Sequence, residues 1–325
     1  MNASNSLLVM LPAFNEAATI GSVIERIPDH IEGISHISVL VVDDGSTDDT
    51  AMIAREAGAS VISHNTNQGL GVAMSTALRE AVRRGVDYAV HMDSDGQFSP
   101  DDIETLLLPL LSGHADFATA SRFKDPTLVP VMPAVKRYGN AGMAWLISKL
   151  VGRRFDDVSC GFRAFSRESM LRLSLHGKFT YTQEMILALS YAGIGIAEIP
   201  VKVRGVREHG NSRIASSIIR YALRTTAIIF SCVRDYRPGL FFNTVSTILG
   251  SVSVALAGFF FWHWLTTGAF SPHLWAGFSA AFVFGVSIII FFNGQVALML
   301  SRQRLLAEEQ LYCLRKQSSS DKGKD

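Results

Sequence analysis

Short apolar runs alternate with helix-period segments through roughly the first two hundred residues. Leu7–Met10, Ser38–Val42, Ser60–Ser63, Tyr88–Met92 and Asp116–Ala120 have the length and apolar character of buried strands. Between them, Ala17–Ile27, Asp48–Ala57, Leu70–Arg84 and Asp101–Leu111 place apolar residues at helical spacing. Strand–helix alternation at this spacing predicts an α/β fold, a mostly parallel sheet with helices on both faces. The pattern continues with a helix over Arg137–Val151, an apolar segment Val158–Phe165, a helix near Gln183–Tyr191 and a strand over Gly195–Val203.

The pattern then changes. Ser216–Tyr236 reads as an amphipathic helix, with Arg220 and Arg224 on one face and Ile218, Ile219, Ala222, Ile228 and Ile229 near the other. Two apolar runs follow, Leu240–Leu265 and Leu274–Leu300, with no Asp, Glu, Lys or Arg in either. Each is long enough to cross a hydrocarbon core of ~30 Å, which predicts a membrane hairpin. Arg234 and Arg237 precede it, and Arg302, Arg304 and Arg315 follow it, while the connecting Thr266–His273 has no Lys or Arg. Basic flanks mark the cytoplasmic side, so both outer ends are expected there. The expected organisation is a cytoplasmic α/β domain over 1–214, an interface helix over 215–238, a two-span hairpin over 239–301 and a cytoplasmic tail over 302–325. The chain is thus expected to be an integral, multi-pass membrane protein. Beyond Lys316 the Ser-rich tail ending Asp-Lys-Gly-Lys-Asp is expected to be disordered.

Composition narrows this further. A net charge of +1 over 325 residues gives no general attraction to nucleic acid, and none is expected as a partner. The three cysteines, Cys160, Cys232 and Cys313, have no paired spacing, which argues against a disulfide framework or zinc site. Leu7–Phe14 is short, lacks a basic flank and contains Pro12, so it reads as a strand rather than a signal peptide.

The candidate chemistry centres on Asp93-Ser94-Asp95-Gly96-Gln97, directly after an apolar strand. A strand ending in Asp-x-Asp directs its acids into the crevice where open α/β sheets bind ligands. Two nearby carboxylates repel unless a cation lies between them, and hard oxygen ligands suit Mg²⁺ or Mn²⁺ with substrate phosphates completing the shell. On an extended segment Asp93, Asp95 and Gln97 would share one side. The stretch also mimics a calcium loop, but Phe98 stands where that loop needs Gly and Pro100 interrupts it.

Three motifs occur in order after the first, second and fourth strands: Leu11-Pro12-Ala13-Phe14-Asn15-Glu16, Val41-Val42-Asp43-Asp44-Gly45-Ser46-Thr47-Asp48, and Asp93-Ser94-Asp95-Gly96-Gln97. This ordered set resembles a family 2 glycosyltransferase with a GT-A fold. Ser121-Arg122, Asp157-Val158-Ser159-Cys160-Gly161-Phe162-Arg163 and Arg207-Glu208-His209-Gly210-Asn211-Ser212-Arg213 resemble the branch that glycosylates polyprenyl phosphates, the dolichyl-phosphate mannose synthase type. The resemblance spans roughly residues 7–214, and the two-span tail fits that branch.

The resemblance implies roles. Pro12, Phe14, Glu16, Val42 and Asp44 would contact the nucleotide, with Asp93, Ser94, Asp95, Arg122, Arg207 and Arg213 also on the donor. Asp93 and Asp95 would be catalytic and, with Gln97, hold the metal. Lys136 and Arg137 would meet the acceptor phosphate. The family often carries Lys where this chain has Arg213. Local readings stand beside these: Glu16 also suits a first helical turn, Ser46 and Asp48 suit a helix cap, and Gly69-Leu70-Gly71 reads as a helix entry. Glu184 reads either as a general base or as a helix residue shaping the sugar pocket. An anionic phosphate acceptor needs no proton removed, which favours the second.

The expected activity is inverting transfer of one hexose from a UDP- or GDP-sugar to a polyprenyl phosphate. A processive polysaccharide synthase would carry Gln-x-x-Arg-Trp, whereas Gln303-Arg304 has no following Trp. A membrane-anchored sugar-nucleotide sensor would not need the basic acceptor-side residues. A nucleotidyltransferase would have a Gly-rich loop after the first strand, where this chain has Pro-Ala-Phe-Asn-Glu. Sugar, base, isoprenoid length and homo-oligomer formation are left open by the sequence.

Overall fold

The structure is a computed structural model that describes residues 5–173, 181–204, 230, 233–234 and 236–321. These form two compact units, one from the described residues of Met1–Thr226 and Glu308–Asp325, the other from those of Ala227–Ala307.

In the first unit, seven strands form one sheet: β1 Ser6–Ala13, β2 His36–Asp43, β3 Ser60–Ser63, β4 Tyr88–His91, β5 Phe117–Ser121, β6 Arg163–Ser166 and β7 Ile196–Pro200. Their order is β3-β2-β1-β4-β6-β5-β7. All pairings are parallel except those of β6, which runs antiparallel to both β4 and β5. The expected mostly parallel sheet is present, with this one reversal. The apolar segment expected over Val158–Phe165 pairs only from Arg163 onward, because Val158–Phe162 approach the sheet as a loop.

Helices cover both faces: α1 Ile20–Glu25, α2 Thr50–Glu56, α3 Leu70–Arg84, α4 Asp102–Leu111, α5 Ala134–Val151, α6 Arg167–Arg172 and α7 Tyr181–Tyr191. Leu7, Val9 and Leu11 of β1 join α1 and α4 residues such as Val23 and Leu107 in one core. The alternate residues Leu8 and Met10, also wholly buried, point to the opposite face by the two-residue period of a strand. α3 matches its sequence span and ends at Gly85, whose left-handed φ of +71° suits a glycine C-cap. α1 is shorter than expected, because the chain first turns at Glu16–Thr19 with Thr19 and Ile20 N–H groups bonded to the Glu16 carbonyl.

The second unit contains α8, Pro238–Thr267, and most of α9, Leu274–Asp321. Both are long and apolar enough to cross a membrane. They pack through small polar residues. The Ser246 and Ser287 hydroxyls each donate to the other's carbonyl at 3.1 and 2.9 Å, and Ser253 donates to the Ala280 carbonyl at 2.8 Å. Such contacts satisfy hydroxyls where no water is available.

The tail differs from expectation. α9 runs to Asp321, so 317–321 are helical where disorder was expected beyond Lys316. Its end is held within the first unit: Tyr312 donates to Glu168 at 3.0 Å, Arg172 stacks on the Tyr312 ring at 4.1 Å, and Arg315 donates to the Leu171 and Leu173 carbonyls. Most of the amphipathic helix expected over Ser216–Tyr236, including Arg220 and Arg224, lies outside the described residues, as do Arg207 and Arg213.

Candidate active site

β1 and β4 are parallel neighbours with Met10 opposite His91, so the chains leaving them emerge together at one edge of the sheet. Beyond β4 the chain is not extended. Ser94 and Asp95 lie in a turn, and Gly96 has a left-handed φ of +74°. This corrects the premise that alternation along a strand aligns Asp93, Asp95 and Gln97. The turn is pinned instead by hydrogen bonds: Ser94 Oγ donates to the Pro12 carbonyl at 2.9 Å, and Thr19 Oγ1 donates to the Ser94 carbonyl at 2.8 Å. Asp95 is buried and accepts the Gln97 N–H at 3.1 Å. Gln97 Nε2 donates to the Arg204 carbonyl at 3.4 Å, and the Arg204 N–H returns a bond to the Gln97 carbonyl.

The Pro12–Glu16 loop is tied to the loop after β2. Asn15, with a φ of +54°, accepts the Thr47 N–H at 2.8 Å, and its own N–H reaches Ser46 Oγ. The Glu16 N–H donates to Thr50 Oγ1. Val42 is wholly buried in β2. Asp44, also buried, accepts from His64 Nδ1 at 2.7 Å and from the N–H groups of Gln68 and Gly69 at 3.0 and 2.7 Å. It therefore joins the second strand's loop to the entry of α3.

Arg122, at the end of β5, is gripped from two sides. Its Nε and Nη2 pair with Asp157 at 2.7 and 3.0 Å, and Nη2 also donates to Ser159 Oγ at 2.7 Å. The carboxylate beside it holds its pKa above the ordinary arginine value although burial works the other way. Ser159 in turn donates to Asn140 on α5 at 2.6 Å. Lys136, half-buried, and Arg137, exposed, lie in the first turn of the same helix. Arg137, Asn140, Trp145, Arg154 and Phe123 line a cavity of about 530 Å³. Glu184 is half-buried on α7.

Asp93 lies against main chain. A Cβ added at Gly161 would come within 2.9 Å of Asp93 Oδ2, so only glycine permits this approach. His91 Nδ1 contacts the Gly161 carbonyl at 2.5 Å. Burial, reinforced by the nearby Arg163 charge and opposed by that hydrogen bond, pushes the His91 pKa down to about 4. The ring is therefore neutral with Nδ1 as donor. Arg122 and Arg163 both act electrostatically on Asp93, and such opposite charges favour an ionised carboxylate.

This donor set fits a hard divalent ion. Among the described residues no group of three or more His, Cys, Asp or Glu gathers to cage a metal. Two acids on a pinned turn beside cationic side chains match a Mg²⁺ or Mn²⁺ site that is completed by substrate phosphates and water.

Several contributors carried no assigned role in the sequence. Thr19, His91, Asp157 and Gly161 each support an acid or the Arg122 fork. Asp157, Gly161 and Arg163 fall in a motif the sequence flagged. His91 and Thr19 give no local signal, since only the fold brings Thr19 to Ser94.

A mostly parallel sheet with one reversed strand, and an Asp-x-Asp turn beside the first strand's loop, define a GT-A architecture. The chain belongs to glycosyl transferase family 2, which residues 8–173 match. It is 30% identical over 220 residues to a UDP-N-acetylglucosamine–dolichyl-phosphate N-acetylglucosaminyltransferase of Methanococcus voltae, covering 62% of this chain and 86% of that one. It is 28% identical over 227 residues to a polyprenol monophosphomannose synthase of Mycolicibacterium smegmatis, covering 66% and 83%. Among solved structures it resembles glucosyl-3-phosphoglycerate synthase from Mycobacterium tuberculosis with Mn²⁺ and UDP-glucose. That likeness has 25% identity and a TM-score of 0.53 over 71% of this chain and 79% of the other.

Proposed function

We propose that this protein is an inverting, metal-dependent glycosyltransferase. It moves one hexose from a UDP- or GDP-sugar to a polyprenyl phosphate at the cytoplasmic face of a membrane. The observation that carries this reading is the pinned Asp93–Asp95 turn in a chain that also has two helices able to cross a membrane. Relatives that act on dolichyl phosphate or make polyprenol monophosphomannose support the acceptor class.

In this reading Asp93 and Asp95, with Gln97, hold Mg²⁺ or Mn²⁺, which when bound neutralises the donor diphosphate. Pro12, Phe14, Glu16, Val42 and Asp44 line the nucleotide side, and the Asp44 contacts keep that wall closed against α3. Ser94 supports the donor as part of the same turn. Arg122, Arg207 and Arg213 supply positive charge toward the donor phosphates. Asp157 holds the Arg122 fork in one orientation, so little reorganisation is needed when charge develops. Lys136 and Arg137 steady the acceptor phosphate, whose anionic oxygen attacks the anomeric carbon in a single displacement. The nucleophile is already ionised, so Glu184 shapes the sugar pocket rather than removing a proton. Rate then comes from alignment and charge stabilisation.

The test is incubation of the purified full-length protein with polyprenyl phosphate and a panel of labelled UDP- and GDP-sugars. One sugar should appear in a polyprenyl-phosphate product with inverted anomeric configuration. A retained configuration, or label entering only water or polymer, contradicts the proposal.

A further inference from the structure

His91 and Arg163 stand directly opposite each other on β4 and β6. Both are wholly buried, and both face α7, where His91 meets the Tyr181 ring at 5.8 Å and Arg163 Nη1 reaches Met185 Sδ at 3.3 Å. A buried guanidinium is costly unless its donors are met. Here they go to main chain: Nε to the Cys160 carbonyl at 3.0 Å, Nη1 to the Thr182 carbonyl at 2.8 Å and Nη2 to the Val158 carbonyl at 3.4 Å. Were packing alone required, an apolar side chain would fill this place at lower cost. What arginine adds is a planar fork with donors in several directions.

The two side chains hold consecutive carbonyls. Arg163 takes that of Cys160 and His91 takes that of Gly161. The held segment is the one that touches Asp93, since a Gly161 Cβ would lie 2.9 Å from Oδ2 and 3.2 Å from Oδ1. We propose that Arg163 is a positioning residue for the metal-binding acids. With His91 it fixes Cys160–Gly161 as a rigid wall that sets where the Asp93 carboxylate stands, and through Thr182 it ties that wall to the first turn of α7. This rests on the reading of Asp93 and Asp95 as a metal site.

The experiment is a Mn²⁺ titration of the full-length protein in detergent, with free Mn²⁺ read by electron paramagnetic resonance and thermal unfolding recorded in parallel. Arg163→Lys keeps the charge and removes the fork. Gly161→Ala leaves Arg163 and His91 in place and drives a methyl group into the Asp93 carboxylate. Both variants should bind Mn²⁺ about 10–100-fold more weakly, the range seen when residues supporting a metal ligand are changed. A merely structural role would lower the unfolding temperature and leave Mn²⁺ affinity per folded molecule unchanged. Wild-type affinity in a cooperatively folded Arg163→Lys or Gly161→Ala protein overturns the inference; if Arg163→Lys does not fold, Gly161→Ala decides. Failure of the wild-type protein itself to bind Mn²⁺ contradicts the metal reading, whereas wild-type binding matched by Gly161→Ala contradicts only the positioning role.

Discussion

Asp157 holds Arg122 through both of its carboxylate oxygens, at 2.7 and 3.0 Å, while itself wholly buried. Its own main-chain N–H donates to Glu198 on β7 at 2.7 Å, so the pair is anchored to the sheet. Removing one partner of a buried pair typically costs about 3–5 kcal/mol. Because the Arg122 side chain is partly exposed, Asp157→Asn should lower stability by less than that range and free the Arg122 fork, reducing kcat in the folded fraction. Unfolding in detergent and transfer assays on the same sample check this. Unchanged stability would show that the pair does not hold the β5 end in place.

The three cysteines offer a probe of the wall beside Asp93. Burial, helped by the Asp157 charge, pushes the Cys160 thiol up to about 12, so at pH 8 it is protonated and shielded. Cys313 is exposed. In a Cys232→Ser background, a thiol reagent should label Cys313 in the native protein and Cys160 only after denaturation. Native labelling of Cys160 at a comparable rate would contradict the packing around Gly161.

Membrane orientation can be read with the same chemistry. The proposed orientation, argued from the basic flanks of the hairpin, puts both of its outer ends on the cytoplasmic side. Gly268 caps α8 with a left-handed φ of +67°, so the neighbouring exposed Ala269 is the gentler probe site. In sealed inside-out vesicles, an impermeant thiol reagent should label Cys313 but spare Ala269→Cys in a protein lacking the native cysteines. Labelling of position 269 without permeabilisation would reverse the orientation.

Arg137 separates acceptor from donor recognition. It lines the cavity beside Asn140 and Arg154, on the helix that Ser159 joins to Arg122. With a short-chain acceptor in detergent, Arg137→Ala should raise the acceptor KM or lower kcat and leave the nucleotide-sugar KM nearly unchanged. A raised donor KM with a normal acceptor KM would move this residue to the diphosphate side.

Much of this fold was legible because strands and helices in an α/β protein differ in period, and Ser60–Ser63 and Leu70–Arg84 emerge at the spans read from the sequence. The reversal of β6 was not, because apolar periodicity carries no strand direction. The docking of the helix end before Lys316 was not legible either, because Tyr312 and Arg315 gain their partners, Glu168 and the carbonyls of Leu171 and Leu173, from more than a hundred residues away. At the site, Asp93 and Asp95 were visible as a spacing. What surrounds them was not: Thr19 beneath Ser94, and Gly161 against Asp93, are products of topology. Asp157 and Gly161 stood in one recognisable motif, but their tasks became clear only from the two bonds of Asp157 to Arg122 and the approach of Gly161 to Asp93.

The most direct test of the central claim compares wild-type protein and Asp95→Asn in transfer of labelled hexose from the preferred nucleotide sugar to polyprenyl phosphate, with and without Mg²⁺ or Mn²⁺. The wild type should form the lipid-linked product only with metal and lose it in excess chelator, while folded Asp95→Asn should form almost none under either condition. Full transfer by Asp95→Asn, or by the wild type in excess chelator, would contradict the account.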